Sequence, residues 1–122
     1  MTILAVEDQP EYLEMLKMVM TGIGHSVVVA KNGIDAIQIL EKEKIDVILS
    51  DVSMPSMNGI EFHRQVRSKP AHKETPFIFL TGLTDLNDVK QECSTSRDLL
   101  LQKPISVDRL LNIFSGQITK QL

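Results

Sequence analysis

Val47-Ile48-Leu49-Ser50-Asp51-Val52-Ser53-Met54-Pro55-Ser56-Met57-Asn58-Gly59 begins as an unbroken apolar run and ends in an acid followed by a turn-rich loop. Val47, Ile48 and Leu49 do not alternate with polar residues. A half-exposed strand would alternate, so this run suits a strand covered on both faces, as in a parallel sheet. The same kind of run appears four more times, at Ile3-Leu4-Ala5-Val6, Val27-Val28-Val29-Ala30, Phe77-Ile78-Phe79-Leu80 and Leu99-Leu100-Leu101.

Between the runs the apolar period lengthens to that of a helix. Leu13, Leu16, Met20 and Ile23 predict the first helical stripe, Ile37 and Leu40 the second, and Phe62 and Val66 the third. Leu86, Val89 and Cys93 predict the fourth stripe, and Val107, Leu110, Leu111, Phe114 and Ile118 the last. Asp8 is placed to cap the first helix, with Pro10 in its opening turn and Gly22 and Gly24 bracketing its end. Gly33-Ile34-Asp35 opens the second helix, and Pro104-Ile105-Ser106 leads into the last. Strands and helices alternating in this way predict an α/β fold, a doubly wound (βα)5 unit with a five-stranded parallel sheet. Five strands are too few for an eight-stranded barrel.

The 122 residues amount to one domain over positions 1-122, with no repeats or linkers. At 43% hydrophobic and 24% charged, the composition is that of a globular domain. The net charge of −3 with mixed signs predicts no nucleic-acid surface. Cys93 is the single cysteine, so an internal disulfide cannot form, and there is no Cys/His cluster for zinc. The opening MTILAVEDQP has no charged region before its apolar run, and no stretch approaches the ~20 apolar residues of a membrane helix. A cytoplasmic protein without membrane contact is expected. The histidines His25, His63 and His72 show no metal-ligand spacing and are read as solvated or structural. Met15, Met18 and Met20 are read as helix packing, and Cys93 as core.

Ligands of doubly wound sheets bind beyond the carboxyl ends of the strands, near the switch point. Glu7 and Asp8 follow the first run, Asp51 the third, Thr81 the fourth and Lys103-Pro104 the fifth. If the first and third strands are neighbours, Glu7, Asp8 and Asp51 converge. Carboxylates about 5 Å apart repel by roughly 3 kcal/mol per pair at an effective dielectric near 20. Such a cluster calls for a cation, raised pKa values or both, and hard oxygen ligands suit Mg2+. A lysine and a hydroxyl on the opposite side are what phosphoryl oxygens require. The residues therefore describe a carboxylate nucleophile, a divalent ion and a phosphate clamp.

Together these residues resemble the receiver domain of two-component response regulators, over essentially the whole chain. The most specific piece is Asp51 to Gly59, which is similar to the family's phosphoacceptor loop; Thr81 and Lys103-Pro104 match its other two motifs. The resemblance implies the flavodoxin-like strand order 2-1-3-4-5. It implies that Asp51 is phosphorylated by a histidine kinase or phosphotransfer protein, and that Asp8, Asp51 and the backbone carbonyl of Ser53 ligate Mg2+, with Glu7 helping through water. It further implies that Lys103 pairs with the phosphoryl oxygens, that Thr81 moves to hydrogen-bond one of them, and that the Lys103-Pro104 peptide is cis. Such a domain is regulatory rather than a classical enzyme, though it can catalyse its own phosphorylation and dephosphorylation. It works as a monomer or a phosphorylation-dependent dimer and signals to an effector protein or a C-terminal output domain.

The sequence departs from the family at several positions. The acidic pair is Glu7-Asp8 where Asp-Asp is common, and Gly82 follows Thr81 where Ala is usual. Leu100 stands where the family places Tyr or Phe, the ring that swings inward as the threonine moves, and Thr95-Ser96-Arg97 replaces a run of small residues. Ser53 and Leu83 occupy the positions that tune hydrolysis. Two other readings stay open. A haloacid-dehalogenase-like phosphatase also uses an aspartate nucleophile and Mg2+, but needs a second Asp where Ser53 stands. A pseudo-receiver interaction module would not need the acidic pair, Asp51, Thr81 and Lys103. A nucleotide-binding domain would need Gly, Ser or Lys where Glu7-Asp8-Gln9-Pro10 follows the first strand.

Overall fold

The computed structural model describes residues 1–82, 86–93 and 97–114; Leu83, Thr95, Ser96 and Ile118 lie outside the described residues. The elements are β1 (Thr2–Val6), α1 (Pro10–Gly22), β2 (Ser26–Ala30), α2 (Gly33–Lys42), β3 (Val47–Asp51), α3 (Gly59–Ser68), a 3-10 turn (Pro70–His72), β4 (Phe77–Thr81), α4 (Asn87–Glu92), β5 (Asp98–Gln102) and α5 (Val107–Phe114). All four pairings are parallel, and the order is β2-β1-β3-β4-β5. Each of the five runs forms a strand, as expected.

The central strands β3 and β4 are buried throughout, which explains why Val47–Leu49 and Phe77–Leu80 lack alternation. α1 and α5 cover one face, where Leu16 and Met20 pack with Leu110, Ile113 and Phe114. α2, α3 and α4 cover the other through Ala36, Leu40, Phe62, Val66 and Val89. Each fully buried large side chain in these layers contributes about 1.5–3 kcal/mol of transfer free energy. Met20 is core, Met15 packs beside it and Met18 is exposed.

The helix boundaries correct several expectations. Asp8 does not cap α1; the N-cap residue is Gln9, which makes no side-chain cap. The Asp8 carboxylate instead joins the strand-end acids. Asn32 and Asn58 cap α2 and α3, accepting the N–H groups of Asp35 and Glu61. The fourth stripe shrinks because α4 has only six residues. Of that stripe only Val89 lies buried inside the helix, while Leu86 and Cys93 flank it. In α5 the leading Val107 is exposed at 47%, and Ile113 takes a core place instead.

One buried polar group falls within the second layer. His63 of α3 lies edge-on to the Phe77 ring, 4.8 Å between centroids. Its Nδ1 is 3.1 Å from Glu92 Oε1 of α4, and its Nε2 is 2.8 Å from Asp98 Oδ1 of β5. Arg67 donates to the same Asp98 oxygen at 2.6 Å and to the carbonyls of His72 and Thr75. Burial alone would raise the Asp98 carboxyl, but His63 and Arg67 overcome it and hold the group below the usual carboxylate range. His63 is thus structural, tying three elements together, and His72 is buried as well.

Asp98→Ala leaves Arg67 and His63 without this carboxylate and is expected to cost about 3 kcal/mol at neutral pH. Because Asp98 is depressed in the folded state, its contribution is present above the unfolded value of about 3.9 and is lost as pH falls through its lower folded value. Urea unfolding of both proteins at stepped pH should show the gap narrowing below about pH 4. A gap that stays constant there would contradict the role assigned to Asp98.

Candidate functional site

The register of the sheet builds the site. Val6 pairs with Ser50, so Glu7 emerges beside Asp51 as the chain leaves β1. Asp51 pairs with Leu80, and Thr81 with Gln102, so β4 and β5 bring Thr81 and Lys103 to the same end. The Lys103 N–H donates to the Thr81 carbonyl at 2.7 Å, which ties the lysine's backbone to the threonine's. The Lys103-Pro104 peptide is cis.

Carboxylate oxygens of Glu7, Asp8 and Asp51 lie within 4.8 Å of one another. Glu7 is fully buried, Asp51 nearly so, and Asp8 exposed. The Lys103 Nζ is 2.8 Å from Glu7 Oε2 and 3.3 Å from Asp51 Oδ2. The other Glu7 oxygen accepts the Gln9 N–H, and Asp51 Oδ1 accepts the N–H of Val52 at 2.8 Å. Burial pushes Glu7 up; Lys103 opposes this and Asp51 adds to it. Burial would lower Lys103, but its two carboxylate partners raise it, so the ammonium stays charged.

One lysine does not neutralise three acids, and oxygen ligands this close suit a hard divalent cation that retains some waters. The residues present therefore fit Mg2+. Thr81 is buried at the end of β4. Ser53 is exposed in the loop, its N–H 3.4 Å from Asp51 Oδ1.

The loop after Asp51 is built to hold it still. The Val52 N–H donates to the Leu80 carbonyl and the Gly59 N–H to the Val52 carbonyl. A Cβ on Gly59 would stand 2.3 Å from the Asp51 carbonyl oxygen and 2.8 Å from Val52 Cα, so the helix start can approach this closely only without a side chain. Ser56 turns the loop at φ 70°, a conformation a non-glycine residue adopts only at some cost.

The family model for the response regulator receiver domain matches residues 3–115. The chain belongs to the response regulator receiver domain family. It is 32% identical over 124 residues to the sensor histidine kinase RcsC of Escherichia coli, covering 98% of this chain and 13% of that protein. It thus spans about an eighth of the length of that curated relative. Among solved structures it is similar to the chemotaxis response regulator CheY4 of Vibrio cholerae, with TM-score 0.84, 32% identity, and 99% and 98% of the two chains covered. It is also similar to the receiver domain of sensor histidine kinase PA1611 from Pseudomonas aeruginosa, described with a magnesium ion coordinated in its active-site cleft, with TM-score 0.84, 27% identity and 97% of each chain covered. Receiver domains are regulatory modules of two-component systems and bind Mg2+ at an acidic pocket. Among the described residues no helix is long and apolar enough to cross a membrane.

Within this receiver fold, Leu100 is partly buried on β5 and packs in the same layer as Val89 and Cys93 at α4. The aromatic position of the family is therefore filled by a packed aliphatic side chain. A Cβ at Gly82 would meet nothing within 4 Å, so the usual Ala would fit there. Sequence reasoning missed Tyr12, whose ring lies 4.4 Å from the Lys103 Nζ. The available signal was its spacing, one helical turn after Asp8 and therefore on the helix end that faces the site.

Gly59→Ala is expected to cost about 2 kcal/mol, since the added methyl must displace backbone rather than a flexible side chain. It should also weaken Mg2+ binding by moving the Asp51 loop. Urea unfolding and a Mg2+ titration followed by NMR check both. An unchanged midpoint would mean that the helix start yields without cost.

Proposed function

We propose that Asp51 is the phosphoacceptor of this receiver, phosphorylated in a Mg2+-dependent reaction by a histidine kinase or phosphotransfer protein. The observation that carries the proposal is the Lys103 ammonium bridging Glu7 and Asp51 at the mouth of a three-carboxylate cluster. An Asp51 oxygen attacks phosphorus, the bond from phosphorus to the donor's histidine nitrogen or acetyl oxygen breaks, and an acyl phosphate remains on Asp51. Asp8, Asp51 and the Ser53 carbonyl would hold Mg2+, with Glu7 helping through water, and the ion when bound would supply positive charge against the transferring phosphoryl oxygens.

Lys103 pairs with one phosphoryl oxygen and Thr81 donates its hydroxyl to another. The Val52 N–H, already 2.8 Å from Asp51 Oδ1, keeps the carboxylate oriented for attack. The same residues allow the domain to catalyse loss of its own phosphoryl group to water. Aspartyl phosphate and its contacts then bias two conformations, for which ~1–3 kcal/mol is enough.

Residues 1–122 act as one receiver unit in the cytoplasm. The unit signals, as a monomer or a phosphorylation-dependent dimer, to an effector protein or to an output domain on the same chain. Neither nucleic acid nor membrane is a direct partner. The phosphatase alternative lacks its general acid, because Ser53 stands two residues after Asp51. The pseudo-receiver alternative gives no reason for a buried Glu7 held by Lys103 beside Asp51.

Acetyl phosphate with Mg2+ should add one phosphate to the wild-type protein by intact-mass spectrometry. Asp51→Asn should abolish the adduct, and Lys103→Ala should slow its formation by roughly 100-fold, as loss of a charged transition-state contact does. An equal adduct on Asp51→Asn, or none on wild type, would overturn the assignment.

A further inference from the structure

The lysine of the site has a third neighbour besides its two carboxylates. Its Nζ lies 4.4 Å from the centroid of the Tyr12 ring, on the first turns of α1. This is within the distance at which an ammonium is attracted by the negative face of an aromatic ring. The ring packs against the apolar layer that contains Leu16 and Leu110, so it is held in place from behind. The Tyr12 hydroxyl is buried beside the Ile105 backbone N–H, without a well-aligned hydrogen bond. Burial pushes its pKa up, so the phenol stays neutral.

The part of Tyr12 that meets Lys103 is the face of its ring. The ring also solves a geometric problem. Glu7 is nearer to Lys103 than Asp51 is, 2.8 Å against 3.3 Å, and its carboxylate could draw the flexible lysine away from the acceptor. A third attraction from the α1 side restricts the stem to conformations that keep the ammonium between the two acids.

We infer that Tyr12 is a positioning residue for phosphoryl transfer: its ring face holds the Lys103 ammonium within reach of Asp51. The inference rests on Asp51 being the phosphoacceptor. Tyr12 makes no contact with the transferred group; it acts through Lys103.

The test compares Tyr12→Leu, which removes the ring, with Tyr12→Phe, which keeps it. With acetyl phosphate and Mg2+, Tyr12→Leu should slow formation of the Asp51 adduct about 3- to 30-fold, the range matching an ordinary cation–π contact. Tyr12→Phe should restore the rate to within about twofold, since the ring face persists. In NMR spectra, the Lys103 ε-methylene protons should show a ring-current shift in wild type and Tyr12→Phe that disappears in Tyr12→Leu. In a Lys103→Ala background, Tyr12→Leu should add no further slowing, because two residues acting through one contact are not additive.

Thermal unfolding shows whether Tyr12→Leu is folded; if it is not, the ring-current shift in wild type and Tyr12→Phe still decides. Normal adduct formation by a folded Tyr12→Leu would overturn the inference while leaving Asp51 as acceptor. So would equal slowing in the Lys103→Ala background, or the absence of a ring-current shift in wild type. No adduct on wild type would remove the Asp51 assignment itself, and this inference with it.

Discussion

Parallel pairing of β1 with β3 is the constraint from which the site follows. Two strands that run the same way and begin in register must also end together, so whatever follows Val6 stands beside whatever follows Ser50. Here those residues are acids. A pairing shifted by one residue would turn Asp51 to the opposite face and separate it from Glu7. The buried apolar runs of both strands oppose such a slip, because every side chain in them would exchange one packed layer for the other. The chemistry at the edge of the sheet is thus held in place by hydrophobic packing at its centre.

That arrangement leaves the carboxyl edge electrostatically unbalanced. Three carboxylates meet with one ammonium among them, and the most deeply buried acid, Glu7, is the one nearest Lys103. Burial works against charge on both Glu7 and Lys103. Their mutual contact compensates, and removing either partner would strand the other in a dry environment. The excess negative charge is also what suits the edge to a divalent cation.

The sequence was informative where a residue's role depends on its position in the alternation. Runs without polar alternation identified the parallel strands, but only β3 and β4 are buried throughout, while β2 and β5 lie at the sheet edges and are partly exposed. Strand ends then selected Glu7, Asp8, Asp51, Thr81 and Lys103, and four of the five have a defined place in the geometry around Asp51. Thr81 reaches the same end of the sheet through its register with Gln102. Roles that depend on contacts between distant segments were not legible. His63 looked like one of three scattered histidines, because Glu92 and Asp98 come to it from elements 29 and 35 residues away. Tyr12 drew no reading from the sequence: its spacing from Asp8 places it near the site, but only the fold brings Lys103 over its ring. Asp8 was misread as a cap for the converse reason: its local position suits capping, but the acids it meets come from elsewhere in the chain.

The layer beneath α4 is one place where the chain departs from its family's usual residues. In this family an aromatic ring at the Leu100 position normally follows the threonine inward. Leu100 instead packs in the apolar layer that also holds Val89 and Cys93. The neighbouring contact of α4 with the rest of the fold is polar: Glu92 reaches His63, and His63 reaches Asp98 at the start of β5. A helix of six residues has little apolar face of its own, and Val89 is its one buried side chain. Its position therefore depends more on Glu92 than a longer helix's would. Among the described residues, α4 is linked to β5 by the hydrogen bonds of His63, which joins Glu92 to Asp98, and shares with it the apolar layer of Val89 and Leu100. These differ in range and in directionality. The apolar packing yields gradually, whereas the polar link holds only while its two carboxylates stay within hydrogen-bonding distance of one imidazole ring.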